Sequence, residues 1–161
     1  EVPAGPPSWI GAAPLLDLSM PVPKVKKFFG ELIAPILPRL SLANEINPEA
    51  LSKDPLVGEE YKSNSLNHSI ITPRMFLEMN RAMQETREWE GPLPGPTLFI
   101  IPTQDRVVSG PEAMRFALQL RTSSASEKMI SLWPDVSHES FNDLEKGRVF
   151  NLIENWILKH S

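Results

Sequence analysis

Thr97-Leu98-Phe99-Ile100-Ile101-Pro102-Thr103-Gln104-Asp105 is a nearly unbroken apolar run, then a proline, then a short polar loop that delivers a carboxylate. A run of this length without polar alternation is what a strand covered on both faces requires. Its counterpart is Met129-Ile130-Ser131-Leu132-Trp133, after which Pro134-Asp135-Val136-Ser137 leads to His138. Between the two lies a stretch from Pro111 to Arg121 that reads as a helix, with Ser109-Gly110-Pro111 opening it and Met114, Ala117 and Leu118 expected to face the sheet. The order strand, helix, strand is a crossover unit, and such a unit lays its two strands parallel in one sheet. Parallel strands end at the same edge, so Asp105 and His138 are expected to emerge together, where open α/β sheets place their sites. A carboxylate that orients an imidazole is two-thirds of a nucleophilic triad.

Composition sets the limits around this unit. The 161 residues are 41% hydrophobic and 22% charged, an ordinary globular balance with enough chain to bury a core. A net charge of -4 argues against non-specific nucleic-acid binding, which needs a positive footprint. With no cysteine the chain has no disulfide scaffold, no thiolate zinc site and no cysteine nucleophile, and it is compatible with the cytosol. The start, Glu1-Val2-Pro3-Ala4-Gly5-Pro6-Pro7, lacks the basic and apolar regions of a signal peptide and reads as a start in mid-chain. His138-Glu139-Ser140-Phe141-Asn142 begins like H-E-x-x-H but ends in Asn, and no phosphate-cradling glycine motif is present. Neither a metal nor a cofactor is therefore expected.

The run Leu98 to Val108, with Trp133-Pro134-Asp135-Val136-Ser137-His138-Glu139 and Asn142-Asp143, resembles the C-terminal part of an α/β-hydrolase. It is most similar to the monoacylglycerol lipase and lysophospholipase branch, also filed under serine aminopeptidases. The resemblance covers most of the chain, and Ala12-Ala13-Pro14-Leu15-Leu16-Asp17 looks like the end of an earlier core strand. It implies Asp105 as triad acid and His138 as triad base, acting on carboxylic esters of lipids through an acyl-enzyme. One departure stands out: Pro102 occupies the position, three residues before the acid, where the family usually has glycine.

The nucleophile is missing. A G-x-S-x-G elbow needs glycines four apart around a serine, and the only such pair among the eight glycines, Gly91 and Gly95, brackets Leu93. In these hydrolases the order is Ser, Asp, His, so the serine is expected on sequence preceding Glu1, in the same or a separate chain. The expected fold is accordingly α/β: the C-terminal part of an α/β-hydrolase, parallel strands with flanking helices and an inserted, mainly helical cap. Residues 1–16 carry the first core strand (near Trp9 to Ala13, read as buried), 17–90 the cap, and 91–161 the C-terminal core. The alternative is a non-catalytic half-domain serving as an interaction module.

Within the cap, Phe28, Phe29, Leu32, Ile33, Ile36 and Leu37 recur at helical spacing after Lys24, Lys26 and Lys27, until Pro35 and Pro38 interrupt. Such a stripe either packs on its own protein or meets lipid while the lysines meet anionic headgroups, a peripheral membrane contact for a cytoplasmic protein. Thr72-Pro73 opens a second helix running to about Trp89, with Met75, Met79 and Met83 one turn apart. A methionine stripe fills core gaps more often than it binds ligand, yet thioethers also suit an acyl-chain pocket. Phe28, Phe29, Met75, Met79 and Met83 are the candidate substrate-binding residues. The last helix carries Val149, Phe150, Ile153, Trp156 and Ile157 as an apolar stripe, with Asn142 or Asp143 as its expected cap.

Overall fold

A computed structural model of the chain describes residues 7–20, 30, 32–44, 46–122 and 127–161. Three parallel strands form one sheet in the order β1 (Trp9–Ala12), β4 (Thr97–Pro102), β5 (Lys128–Trp133). Trp9 pairs with Thr97 and Ala12 with Ile100 on one side of β4; Leu98 pairs with Met129 and Pro102 with Trp133 on the other. The segment between β1 and β4 holds a two-residue antiparallel pairing of β2 (Leu42–Ala43) with β3 (Ile70–Ile71) and a 3-10 turn at Pro48–Ala50. It also holds the helices α1 (Pro55–Ser63) and α2 (Pro73–Arg87). Helices α3 (Gly110–Gln119) and α4 (Lys146–His160) complete the core.

The central strand explains the layering. All six residues of β4 are buried, and successive side chains point to opposite faces. Phe99 and Ile101 join Leu16, Leu93, the α3 residues Ala113, Phe116 and Ala117, and Leu120 just past the helix. Leu98 and Ile100 join Trp133, Val136 and the α4 residues Val149 and Trp156 on the other face. Leu98 and Ile100 are wholly inaccessible, and each contributes about 1.5–3 kcal/mol by leaving water. Phe99 meets Phe116 edge to face at 6.5 Å, and the Arg148 guanidinium lies 5.2 Å over the Trp133 ring.

Three expectations are corrected. Strand β1 is half-exposed, not buried, because it lies at the sheet margin with Trp9 51% exposed. Helix α3 buries Ala113, Phe116 and Ala117 while Met114 and Leu118 face outward. Positions 113, 116, 117 and 120 make the i, i+3, i+4, i+7 face, which the larger exposed side chains obscure in the sequence. Helix α4 starts at Lys146 after Glu145, which makes no side-chain capping bond; the Asp143 carboxylate is engaged elsewhere. Helix α2, by contrast, begins as read, with Thr72 Oγ1 accepting from the Met75 amide at 3.2 Å and Pro73 in the first turn.

Glycine is required at the start of α3. A Cβ on Gly110 would stand 2.8 Å from the Pro102 carbonyl oxygen, so the helix begins hard against the end of β4. That contact fixes where the loop bearing Asp105 leaves and returns.

Candidate active site

Asp105 closes its own loop. Its Oδ1 accepts from the amides of Val107 and Val108 at 2.7 and 3.0 Å, an arrangement short carboxylates favour at turns. The Ser19 hydroxyl lies 2.6 Å from the carbonyls of both Asp105 and Val108, and its single proton serves one of them at a time. The Ser19 amide donates to Val107 O at 3.1 Å and the Ser109 amide to Asp17 O at 2.9 Å, so residues 17–19 brace the loop. Arg87 from α2 ties that brace down by donating to Leu16 O beside Asp17.

The second Asp105 oxygen is left for one partner. His138 Nδ1 lies 2.9 Å from Asp105 Oδ2, with the carboxylate side chain entirely inaccessible and the imidazole 25% exposed. An ionised carboxylate only accepts, so Nδ1 carries the proton and Nε2 presents a lone pair. Pro102, the residue where the resemblance departs, sits buried in β4 opposite Trp133, and the loop beyond it still brings Asp105 to His138. Beside His138 is a depression of about 230 Å³, lined by Ala12 and Ala13 from the end of β1 and by Glu139 to Asn142. Ala13, at φ 42°, holds a left-handed backbone that costs a residue with a Cβ about 1–2 kcal/mol. Its amide donates to Ile100 O at 3.0 Å, which anchors that turn at the edge where both loops emerge.

The sequence profile of the family described as serine aminopeptidase, S33, matches residues 3–145. The chain belongs to this family of α/β-hydrolases. Among solved structures, this S33 chain is similar to a monoacylglycerol lipase of Paleococcus ferrophilus, at 24% identity and a TM-score of 0.76 over 96% of the chain. A soluble variant of the monoglyceride lipase of Saccharomyces cerevisiae, crystallised with a substrate analogue, superposes with a TM-score of 0.75 at 16% identity over 94% of it. An uncharacterised abhydrolase domain-containing protein of Dictyostelium discoideum is 27% identical over 152 residues, 94% of the chain. The S33 chain spans only 59% and 55% of the two solved lipases and 16% of the Dictyostelium protein.

The other candidate residues of the S33 chain are scattered. Met83 is buried, Met79 half-buried and Met75 61% exposed, and none of the three lines the depression beside His138. Phe28 and Phe29 lie outside the described residues. Of the same apolar stripe, Leu32, Ile36 and Leu37 are exposed and Ile33 is half-buried. The amides of Ile36 and Leu37 both donate to Ile33 O, at 3.0 and 2.7 Å, while Pro35 and Pro38 have no amide proton to give.

Two supports of the site have a role that the sequence does not signal. One is Ser19; the other is Asp143, which is completely inaccessible. Asp143 Oδ2 accepts from the amides of Ser137 at 2.9 Å and Lys53 at 3.2 Å, and Oδ1 from the Leu144 amide at 2.7 Å. Burial pushes this carboxyl up, but the amides of Ser137, Lys53 and Leu144 and the Ser137 hydroxyl outweigh it and hold it below the usual aspartate range.

Proposed function

We propose that these 161 residues supply the acid, the base and the cap of a serine hydrolase that cleaves carboxylic esters of lipids. The observation that supports this is the 2.9 Å contact between His138 Nδ1 and a buried Asp105 whose other oxygen is already committed to two amides. Asp105 fixes the tautomer and stabilises the imidazolium; His138 Nε2 takes the proton from a serine hydroxyl as it attacks the ester carbonyl. The same imidazolium then returns that proton to the departing alkoxide, leaving an acyl-enzyme that water cleaves by the same base. No G-x-S-x-G occurs in the 161 residues, so the serine stands on a segment outside them, in the same or a separate chain. The open margin of β1, with Trp9 exposed, is where that segment's sheet joins. Monoacylglycerols or lysophospholipids are the substrate class, and that the two similar solved proteins are monoacylglycerol lipases supports the first. Leu32, Ile36 and Leu37 on the cap, with Phe28 and Phe29 from the same stripe, meet the acyl chain or a membrane surface that holds it.

The test is p-nitrophenyl and monoacylglycerol ester hydrolysis by the assembled hydrolase, meaning this chain together with its serine-bearing segment. His138→Ala is expected to lower kcat by about 10⁶ and Asp105→Asn by about 10⁴, since the first removes the base and the second presents the wrong tautomer. The 161 residues by themselves are expected to show no turnover above background. Full activity of the His138→Ala form, or activity of the isolated chain, rejects this assignment of the chemistry. The second reading, an interaction module without catalysis, predicts an assembly in which a fluorophosphonate labels no serine.

A further inference from the structure

We infer that Asp143 is a positioning residue that sets His138 by coupling it to the cap, an inference that rests on the hydrolase reading above. His138 lies in no helix or strand, so its loop is held only by specific bonds. Both amides that flank it are taken. The Ser137 amide donates to Asp143 Oδ2 at 2.9 Å, and the Glu139 amide donates to the carbonyl of Leu51 in the cap at 2.8 Å. The same Oδ2 accepts the amide of Lys53, two residues further along the cap segment, across 90 positions of sequence. Ser52 adds a bond to Asn142 O at 3.2 Å, and the Lys53 ammonium donates to Asp135 O at 3.0 Å. Arg106, next to the acid, donates to Glu49 O at 2.6 Å, so the one segment from Glu49 to Lys53 touches both loops of the pair.

One carboxylate oxygen thus stands between the base loop and the cap, in a position without solvent access. It is acceptor-only when ionised, which suits the two amides that converge on it and the third that meets the other oxygen; the amino group of a neutral amide side chain would face either that pair or the Leu144 amide. A displacement of the cap segment pulls on Ser137 through Asp143 and on Glu139 through Leu51, and so moves the imidazole between them. A misplacement of about 1 Å at a reacting group costs on the order of 10²-fold in rate.

The experiment compares kcat and KM per active site in the assembled hydrolase, with sites counted by fluorophosphonate labelling at saturation, for wild type, Asp143→Asn, Ser52→Ala and His138→Ala. Asp143→Asn is expected to lower kcat per labelled site by about 10–100-fold with KM changed less than about threefold, the signature of a mispositioned base. Ser52→Ala, which leaves the carboxylate in place and removes one tie between the cap and its loop, is expected to lower kcat in the same direction by about two- to fivefold. If Asp143→Asn yields no folded protein, Ser52→Ala carries the test. A purely structural role changes the number of labelled sites and leaves kcat per site at the wild-type value, and that result in both variants overturns the inference. Activity surviving His138→Ala rejects the hydrolase reading itself, whereas an inactive His138→Ala form beside unchanged Asp143 and Ser52 variants rejects only the coupling.

Discussion

Two buried aspartates divide the support of one imidazole, and they do so by opposite chemistry. Asp105 spends Oδ1 on its own loop and Oδ2 on the ring, so its position is determined locally. Asp143 spends both oxygens on amides, which makes its ionisation a term in stability. Its folded form is the more acidic, so the unfolded chain binds the proton more readily. The stabilisation is complete above the unfolded value of about 3.9 and is lost as the pH falls through that value toward the folded one. Urea midpoints of the assembled hydrolase between pH 6 and pH 3 are therefore expected to fall more steeply for wild type than for Asp143→Asn. At pH 6 the variant is expected to be less stable by about 1–3 kcal/mol, from leaving buried amides without an acceptor. Parallel curves would show that this carboxylate does not carry the acid sensitivity. Ser140 offers a contrast: its hydroxyl is buried without a partner among the described residues, so Ser140→Ala is expected to leave the thermal midpoint unchanged or to raise it, the stability gain being at most about 1 kcal/mol.

Among the elements, the start of α3 is the tightest fit. Gly110→Ala places a methyl group 2.8 Å from the Pro102 carbonyl, and either β4 or the helix must move. A loss of about 1–3 kcal/mol is expected in denaturant unfolding of the assembled hydrolase, with a further loss of ester turnover because the displaced backbone carries Asp105. Wild-type stability would mean that the helix slides freely on the strand. Elements β4, β5 and α2 are legible in the sequence because their signals are local: an apolar run, a second apolar run, and a Thr-Pro opening. The adjacency of Asp105 and His138 is legible for the same reason, since two parallel strands must end at one edge. The inward face of α3 is not, because alanines at 113 and 117 bury less area each than the exposed Met114 and Leu118 suggest. The supporting roles of Ser19 and Asp143 are not legible either, although Asp143 belongs to the run that carries the family resemblance: Ser19 meets Asp105 86 positions away and Asp143 meets Lys53 90 positions away, and no spacing betrays such a partner.

At the scale of the molecule, the margins of the sheet decide behaviour. Among the described residues the outer β1 edge is unpaired and Trp9 is exposed, while Phe150 and Ile157 on α4 are about half exposed although Val149 and Trp156 on the same helix are buried. A bare strand edge beside apolar surface invites pairing with another chain. The 161 residues alone are expected to aggregate or to elute as heterogeneous oligomers in size-exclusion chromatography, and to become monodisperse with the serine-bearing segment. A monodisperse, cooperatively melting monomer of the isolated chain would refute this. The order β1, β4, β5 also carries a kinetic consequence. The pairing of β4 with β5 closes only a short crossover through α3, whereas β1 reaches β4 by closing a loop that contains every element from β2 to α2. Loop-closure entropy makes the second event the slower one, so the unit bearing Asp105 and His138 condenses first and β1 docks onto an existing surface. During synthesis β1 leaves the ribosome well before β4 exists, and until β4 is made the edge that will pair with it stays open, a natural target for a chaperone.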